Sequence, residues 1–289
     1  MTAIDLSPSA RTVLDLPGPP TNAVAKARWA ITDGLTVAVR NLRHIRQVPD
    51  RLLNATVSPI MFVLLFAYVL GSAIAVPGSN YREFLMPGIF VQTVAFCCAT
   101  TAMGVANDMS KGLIDRFRSL PMARSAVLVG RTSADLVEGL IGIAVMAGCG
   151  LAVGWRIHAG FLHGLEGFAL LVLFGFAMNW LGTIIGLLMR SPEAVQSLVF
   201  VTLFPITFVA NTFVPTENMT PWLRNVADWN PVSALVAAER ELFGNVGAPY
   251  TGGAWPLQHP VPAAFLYSLL LLAVFAPLAV RRYRSAVGR

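Results

Sequence analysis

Charged side chains are scarce in this sequence. Only 12% of the 289 residues are Asp, Glu, Lys or Arg, against about 25% in an ordinary soluble domain. Hydrophobic residues make up 55%, and the mean hydropathy is +0.64. So few ionic groups cannot cover a surface exposed to water, which excludes an ordinary soluble enzyme. Cysteine is equally sparse. The three present, Cys97, Cys98 and Cys149, lie inside apolar stretches without the spacing of a metal site or a disulfide framework. No GxxxxGK[ST] phosphate loop occurs, so the sequence offers no backbone cradle for ATP, and HExxH, paired CxxC and GxSxG are missing too. The four histidines, His44, His158, His163 and His259, fall outside the apolar stretches and suggest no metal site. The net charge of +6 does not point to nucleic acid, because the cations follow a membrane pattern rather than one binding face.

What is abundant is long apolar sequence. A helix needs roughly 20 apolar residues to cross a hydrocarbon core of about 30 Å. Six runs qualify, at about 55–76, 86–107, 126–155, 165–189, 194–214 and 261–280. The expected fold is therefore an all-α integral membrane protein with six transmembrane helices. Lys and Arg set its orientation, since they concentrate in loops on the cytoplasmic side. Seventeen of the 21 lie before the first run, in alternate loops, after the last or, for Arg131, at the cytoplasmic end of the third run, and only Arg82, Arg156, Arg224 and Arg240 lie opposite. Both termini are thus expected in the cytoplasm. Residues 1–23 read as a disordered polar tail and 282–289 as a second, basic one.

Three segments outside the runs carry more information. Between about 24 and 50, Ile31, Leu35, Ala38, Leu42 and Ile45 recur at helical spacing while Asp33, Arg40, Arg43, His44 and Gln47 fall largely on the other faces. That is an amphipathic helix on the inner leaflet, serving either as an anchor or as a contact surface for a cytoplasmic partner. Around 109–122, Met109, Leu113, Phe117 and Leu120 form one helical face and Lys111, Asp115 and Arg118 another, with Pro121 ending the turn. It is either a solvated loop with the expected cations or a helix docked into a groove of another protein. The third, at about 216–244, is too apolar for a plain loop. Thr220 with Pro221, and Asn230 with Pro231, can each cap a short helix, the second running to Phe243 before Gly244. Trp222, Leu223, Trp229 and Leu235 would then sit in or dip into the outer interface, as a lid over a central pathway.

Within the runs, Arg131 and Asp135 are spaced to pair, and Glu138 shares the face of Asp135. They form an ionic cluster at the membrane boundary, where ionisable residues invite a functional reading, although their shallow depth favours a structural ion pair. Gln92, Asn179 and Phe208 are candidates for lining a pathway, while helix–helix contact and lipid contact are the commoner roles for such residues. Gly150 with Gly154 and Gly182 with Gly186 have GxxxG spacing, which permits close helix approach.

Two segments resemble a known family. The run from Lys111 to Ser125 contains Gly112, Asp115 and Arg116, Arg118, then Leu120, Pro121 and Met122, then Arg124 and Ser125. It resembles the first cytoplasmic loop of ABC-2 type permeases of the daunorubicin-resistance class. Asn211 to Pro215, Met219, Pro221, Trp222, Leu223 and Arg224, then Asn230 and Pro231, resemble the same family's stretch from the end of the fifth span into the external loop. The resemblance implies the membrane permease of an exporter in a bacterial inner membrane, moving a drug or another amphiphile. It implies two such permeases, identical or related, docked on a separate dimeric cytoplasmic ATPase that uses ATP and Mg²⁺. No cofactor on this chain is implied. Residues 24–50 would be the connecting helix, 55–281 the transmembrane domain, 109–122 the coupling helix and 216–244 an external re-entrant hairpin. Lys111, Gly112, Asp115, Arg116, Phe117, Arg118, Leu120, Pro121 and Met122 would dock on the ATPase. Asn211, Pro215, Met219, Pro221, Trp222, Asn230 and Pro231 would form the external gate. An ion-coupled secondary transporter is the alternative, and among intramembrane carboxylates it would depend on the shallow Asp135 and Glu138.

Overall fold

The computed structural model describes residues 57, 60, 61, 63–66, 68, 80–111, 124–189, 191–213, 216, 219–245 and 252–287. All regular structure among the described residues is helical: α1 Tyr81–Ser110, α2 Arg124–Val153, α3 Phe161–Leu188, α4 Pro192–Val209, α5 Pro221–Asp228, α6 Pro231–Phe243, α7 Trp255–Gln258 and α8 Pro260–Val287. Five are long and apolar enough to cross a membrane, namely α1, α2 from Ala134, α3, α4, and α8 as far as Tyr283.

The 30 residues of α1 extend about 45 Å, enough to cross a hydrocarbon core of about 30 Å. These five helices correspond to the second through sixth apolar runs, and their ends fall within a few residues of the expected ones, apart from the longer last turns of α8. The first run lies mostly outside the described residues. Within it Val63 and Phe66 are buried, and the Phe66 ring stacks on Phe213 at 4.5 Å. Residues 1–50, with the expected tail and connecting helix, lie wholly outside the described residues.

The core centres on α1 and α3, which pack along each other more extensively than any other pair. Glycine makes that approach possible. A Cβ at Gly182 would collide with the Cys98 carbonyl oxygen, and one at Gly186 would come 2.7 Å from Cβ of Val105. The second GxxxG spacing is thus a helix contact. The first is not of that kind: Gly150 leaves room for the Met86 and Trp155 side chains, and Gly154, at φ 102°, lies just beyond α2. Gly182→Val should lower thermal stability in detergent by about 1–3 kcal/mol through overpacking. Gly148→Val, where an added Cβ meets nothing within 4 Å among the described residues, should leave it nearly unchanged. Equal melting temperatures for the two variants would contradict this packing.

The outer faces of α4 and α8 stay apolar and open, with Val201 74% and Leu270 60% exposed, as suits contact with lipid. α6 is different. Ten of its thirteen residues are buried, so it lies inside the bundle rather than over it. At about 20 Å it is too short to cross. It packs among α1, α3 and α8. Its ends follow the sequence: Asn230 Oδ1 accepts from the Val232 N–H at 2.9 Å, Pro231 takes the first position, and Gly244 closes the helix at φ 71°. α5 begins at Pro221 as expected, but the Thr220 side chain makes no capping hydrogen bond. Trp222 and Trp229 are exposed, whereas Leu235 is fully buried rather than interfacial, because it lies on the inward face of α6.

Candidate functional site

Polar groups gather at two places in the bundle. The first joins α1, α2 and α3 toward the Ser110 end of α1. Arg131 Nη1 donates to Asp108 Oδ2 at 2.7 Å, and Nε lies 3.3 Å from both carboxylate oxygens of Asp135. Thr101 Oγ1 donates to Asp135 Oδ2 at 2.8 Å and lies 3.3 Å from Asn179 Oδ1. The guanidinium rests over Gly104, where a Cβ would overlap Nη2. The expected Arg131–Asp135 pair is therefore present, and Glu138 adds to the field at Arg131. Sequence spacing missed Asp108 and Thr101, because both approach from another helix. A hollow beside the cluster is lined by Val94, Cys97, Gly139, Ile143 and Leu171, with Asp135 and Asn179 supplying polar groups.

The second place is the α6 end. Arg240 is buried, and its Nε donates to the Phe84 carbonyl at 3.0 Å. Its Nη2 donates to the carbonyls of Asn211 and Thr212 at 2.8 and 3.2 Å, and the guanidinium carbon stands 3.5 Å from the Phe84 ring centre. One side chain thus ties α6 to α1 and to the chain just after α4. The Asn211 N–H donates to Ser233 Oγ at 3.2 Å, and Asn230 Nδ2 donates to the Ile206 carbonyl at 2.7 Å. Burial pulls the Arg240 guanidinium down to about 9, which still leaves it charged at neutral pH.

Below this, Phe243 packs edge-on against Phe90 and Trp155 and tilts on Phe168. Trp155 Nε1 donates to Asn245 Oδ1 at 2.8 Å, Asn245 Nδ2 donates to the Arg156 carbonyl at 2.9 Å, and the His158 N–H donates to the Phe243 carbonyl at 2.8 Å. The α2–α3 connection is thereby clasped to the end of α6. His158 Nε2 also meets Glu83 Oε1 at 2.9 Å.

Of the residues expected at the external gate, Asn211 and Asn230 hold the hairpin as described, Pro221 and Pro231 open α5 and α6, Trp222 is exposed and Met219 is partly buried. Pro215 lies outside the described residues. Gln92 and Asn179 are buried on α1 and α3, and Phe208 is 39% exposed on α4, where its ring stacks on Phe204 at 4.1 Å. Lys111 is exposed just after α1. Gly112, Asp115, Arg116, Phe117, Arg118, Leu120, Pro121 and Met122 lie outside the described residues. Sequence reasoning counted Arg240 only as one more external cation and did not single out Glu239. A signal existed, since Glu239 stands four residues after Leu235 and three before Leu242, on an apolar stripe.

Residues 33–243 match the family described as ABC-2 type transporter. The chain is similar to a daunorubicin resistance ABC transporter permease of Streptomyces coeruleorubidus, at 33% identity over 95% of this chain and 92% of that protein. It is also similar to a doxorubicin resistance ABC transporter permease of Mycobacterium tuberculosis, at 25% identity over 77% of each. A probable multidrug ABC transporter permease of Escherichia coli is 24% identical over 58% of this chain and 45% of that protein.

Proposed function

Because the chain belongs to the ABC-2 type transporter family, as a membrane permease subunit of an ABC exporter, we propose that it moves a hydrophobic or amphiphilic compound out across a bacterial inner membrane. The observation that carries this reading is the similarity to the daunorubicin resistance permease along nearly the whole chain. A planar aromatic drug of the kind named for the relatives is the first substrate class to test, and a lipid the second. Six spans with both termini in the cytoplasm follow from the apolar runs and the placement of Lys and Arg.

The energy comes from a separate ATPase dimer, which holds ATP and Mg²⁺ because this chain has no phosphate loop. The segment 109–122 is the coupling helix: Phe117 and Leu120 fill a groove of the ATPase while Asp115, Arg116 and Arg118 make polar contacts around it. Two permeases, identical or related, enclose the pathway. Closure of the ATPases on ATP pushes the coupling helices and reorients the bundle, and substrate leaves past α5 and α6, which form an external re-entrant hairpin. The buried hold of Arg240 on α1 supports that assignment, since irregular backbone at membrane depth requires protein around it. No observation favours ion coupling: Asp135 is held by Arg131 and Thr101.

The test is uptake into inverted membrane vesicles that contain the chain and its ATPase. ATP should drive accumulation of a fluorescent anthracycline, and dissipating the proton gradient should not abolish it. Uptake that follows the proton gradient and ignores ATP would overturn the proposal.

A further inference from the structure

Glu239 is fully buried on α6, and among the described residues neither carboxylate oxygen has a hydrogen-bond partner. Gly167 on α3 leaves it room: a Cβ there would come within 2.8 Å of Oε2 and 2.7 Å of the Phe243 ring. Its neighbour Arg240 is turned to the carbonyls of Phe84, Asn211 and Thr212 and gives it no counter-charge. α6 packs against α1, α3, α5, α7 and α8. On their adjoining turns the ionisable groups are Tyr81, Arg82 and Glu83, then His163 and Glu166, then Arg224 and Asp228, then His259 and Tyr267. Glu83 is met by His158, Arg82 donates to the Val153 carbonyl, His163 meets the Ala159 carbonyl, and Glu166 is exposed. Arg224 and Asp228 pair with each other at 3.7 Å, and Tyr267 donates to the Trp229 carbonyl. Arg156, in the α2–α3 connection, donates to the carbonyls of Leu151 and Trp155, and Glu241 on α6 itself is exposed. Burial alone pushes the Glu239 carboxyl well above the usual carboxylate range.

An ionised carboxylate without donors is far costlier to bury than the neutral acid. The geometry points to Glu239 as a proton-binding site whose occupancy holds α6 in its seat among α1, α3 and α8, so that the seat is firm in acid and loosens as pH rises. The proton comes from the adjoining water and returns to it when α6 withdraws. Linkage sets the sign. A carboxyl exposed in the withdrawn state titrates near about 4.3, and the seated form keeps its proton to higher pH. Seating is therefore fully favoured below the exposed value. Its equilibrium constant falls by up to about tenfold per pH unit above that, until the seated carboxyl itself ionises. The switch belongs to the chain's own conformation and stands whether or not the cargo is an amphiphile.

The test uses the full chain in liposomes, with Cys97, Cys98 and Cys149 replaced and spin labels at Glu241→Cys on α6 and Leu188→Cys at the far end of α3, both exposed sites. Distances and melting temperatures are recorded from about pH 5 to 9, a range above the exposed carboxyl's value, with Glu239 present and with Glu239→Gln. With Glu239, a second distance population should grow and the melting temperature should fall as pH rises. The isosteric amide should hold one population and remove that fall. Should the Gln variant not fold, the pH series with Glu239 decides alone. Distances and melting that ignore pH with Glu239 present, or an unchanged pH response in Glu239→Gln, would overturn the inference.

Discussion

Arg116→Glu should abolish ATP-driven transport while leaving the chain inserted and folded. Position 116 lies between the second and third apolar runs, in a basic segment outside the described residues. In the proposed arrangement its guanidinium makes charge-assisted contacts with the ATPase. Reversal removes those contacts and sets like charges against each other, and losing one partner of a desolvated pair costs about 2–5 kcal/mol. That weakens docking by about 30- to 4,000-fold, at about 1.4 kcal/mol per tenfold. Arg118→Glu should act in the same direction. Vesicle uptake should fall to the level without ATP, while the yield and melting temperature of the purified chain stay near those of the unsubstituted protein. Full uptake by both variants would remove 109–122 from the docking surface.

Replacing Arg240 should have the largest effect on stability. Its side chain serves the carbonyls of Asn211 and Thr212, which follow α4, and that of Phe84 in the first turn of α1. Arg240→Leu fills much of the space but leaves buried acceptors without donors, at about 1–3 kcal/mol for each one left unsatisfied. Stacking on Phe84 is lost as well. The expected loss is about 3–5 kcal/mol, with α6 detached from α1. Arg240→Lys should recover only part of it, since one ammonium lacks the planar fork that reaches both α1 and the chain after α4. Melting in detergent measures the loss, and protease sensitivity between α5 and α6 reports the detachment. A Leu variant as stable as the unsubstituted chain would show that these hydrogen bonds do not hold the hairpin.

Much of the fold was legible because its signals are local. Long apolar runs mark α1, α2, α3, α4 and α8, and Asn230, Pro231 and Gly244 mark the ends of α6 through backbone rules that act within a few residues. The Arg131–Asp135 pair was legible for the same reason, being one helical turn apart. Asp108 and Thr101 were not, because their contacts cross from α1 to α2 and depend on how the helices pack. Arg240 shows the limit most clearly. Counting cations places it with the external loops, yet its partners are backbone carbonyls, which leave no trace in side-chain sequence. Only the packing of α6 brings them together.

In the proposed arrangement this permease works through a separate ATPase docked on 109–122. Purification of the tagged chain from its native membrane in mild detergent tests it most directly, with identification of the co-purifying subunits and an assay of ATP hydrolysis. A stoichiometric subunit carrying a phosphate loop, with ATPase activity, should be retained by the unsubstituted chain and lost with Arg116→Glu. A chain that purifies without an ATPase, and transports nonetheless when reconstituted alone, would contradict it.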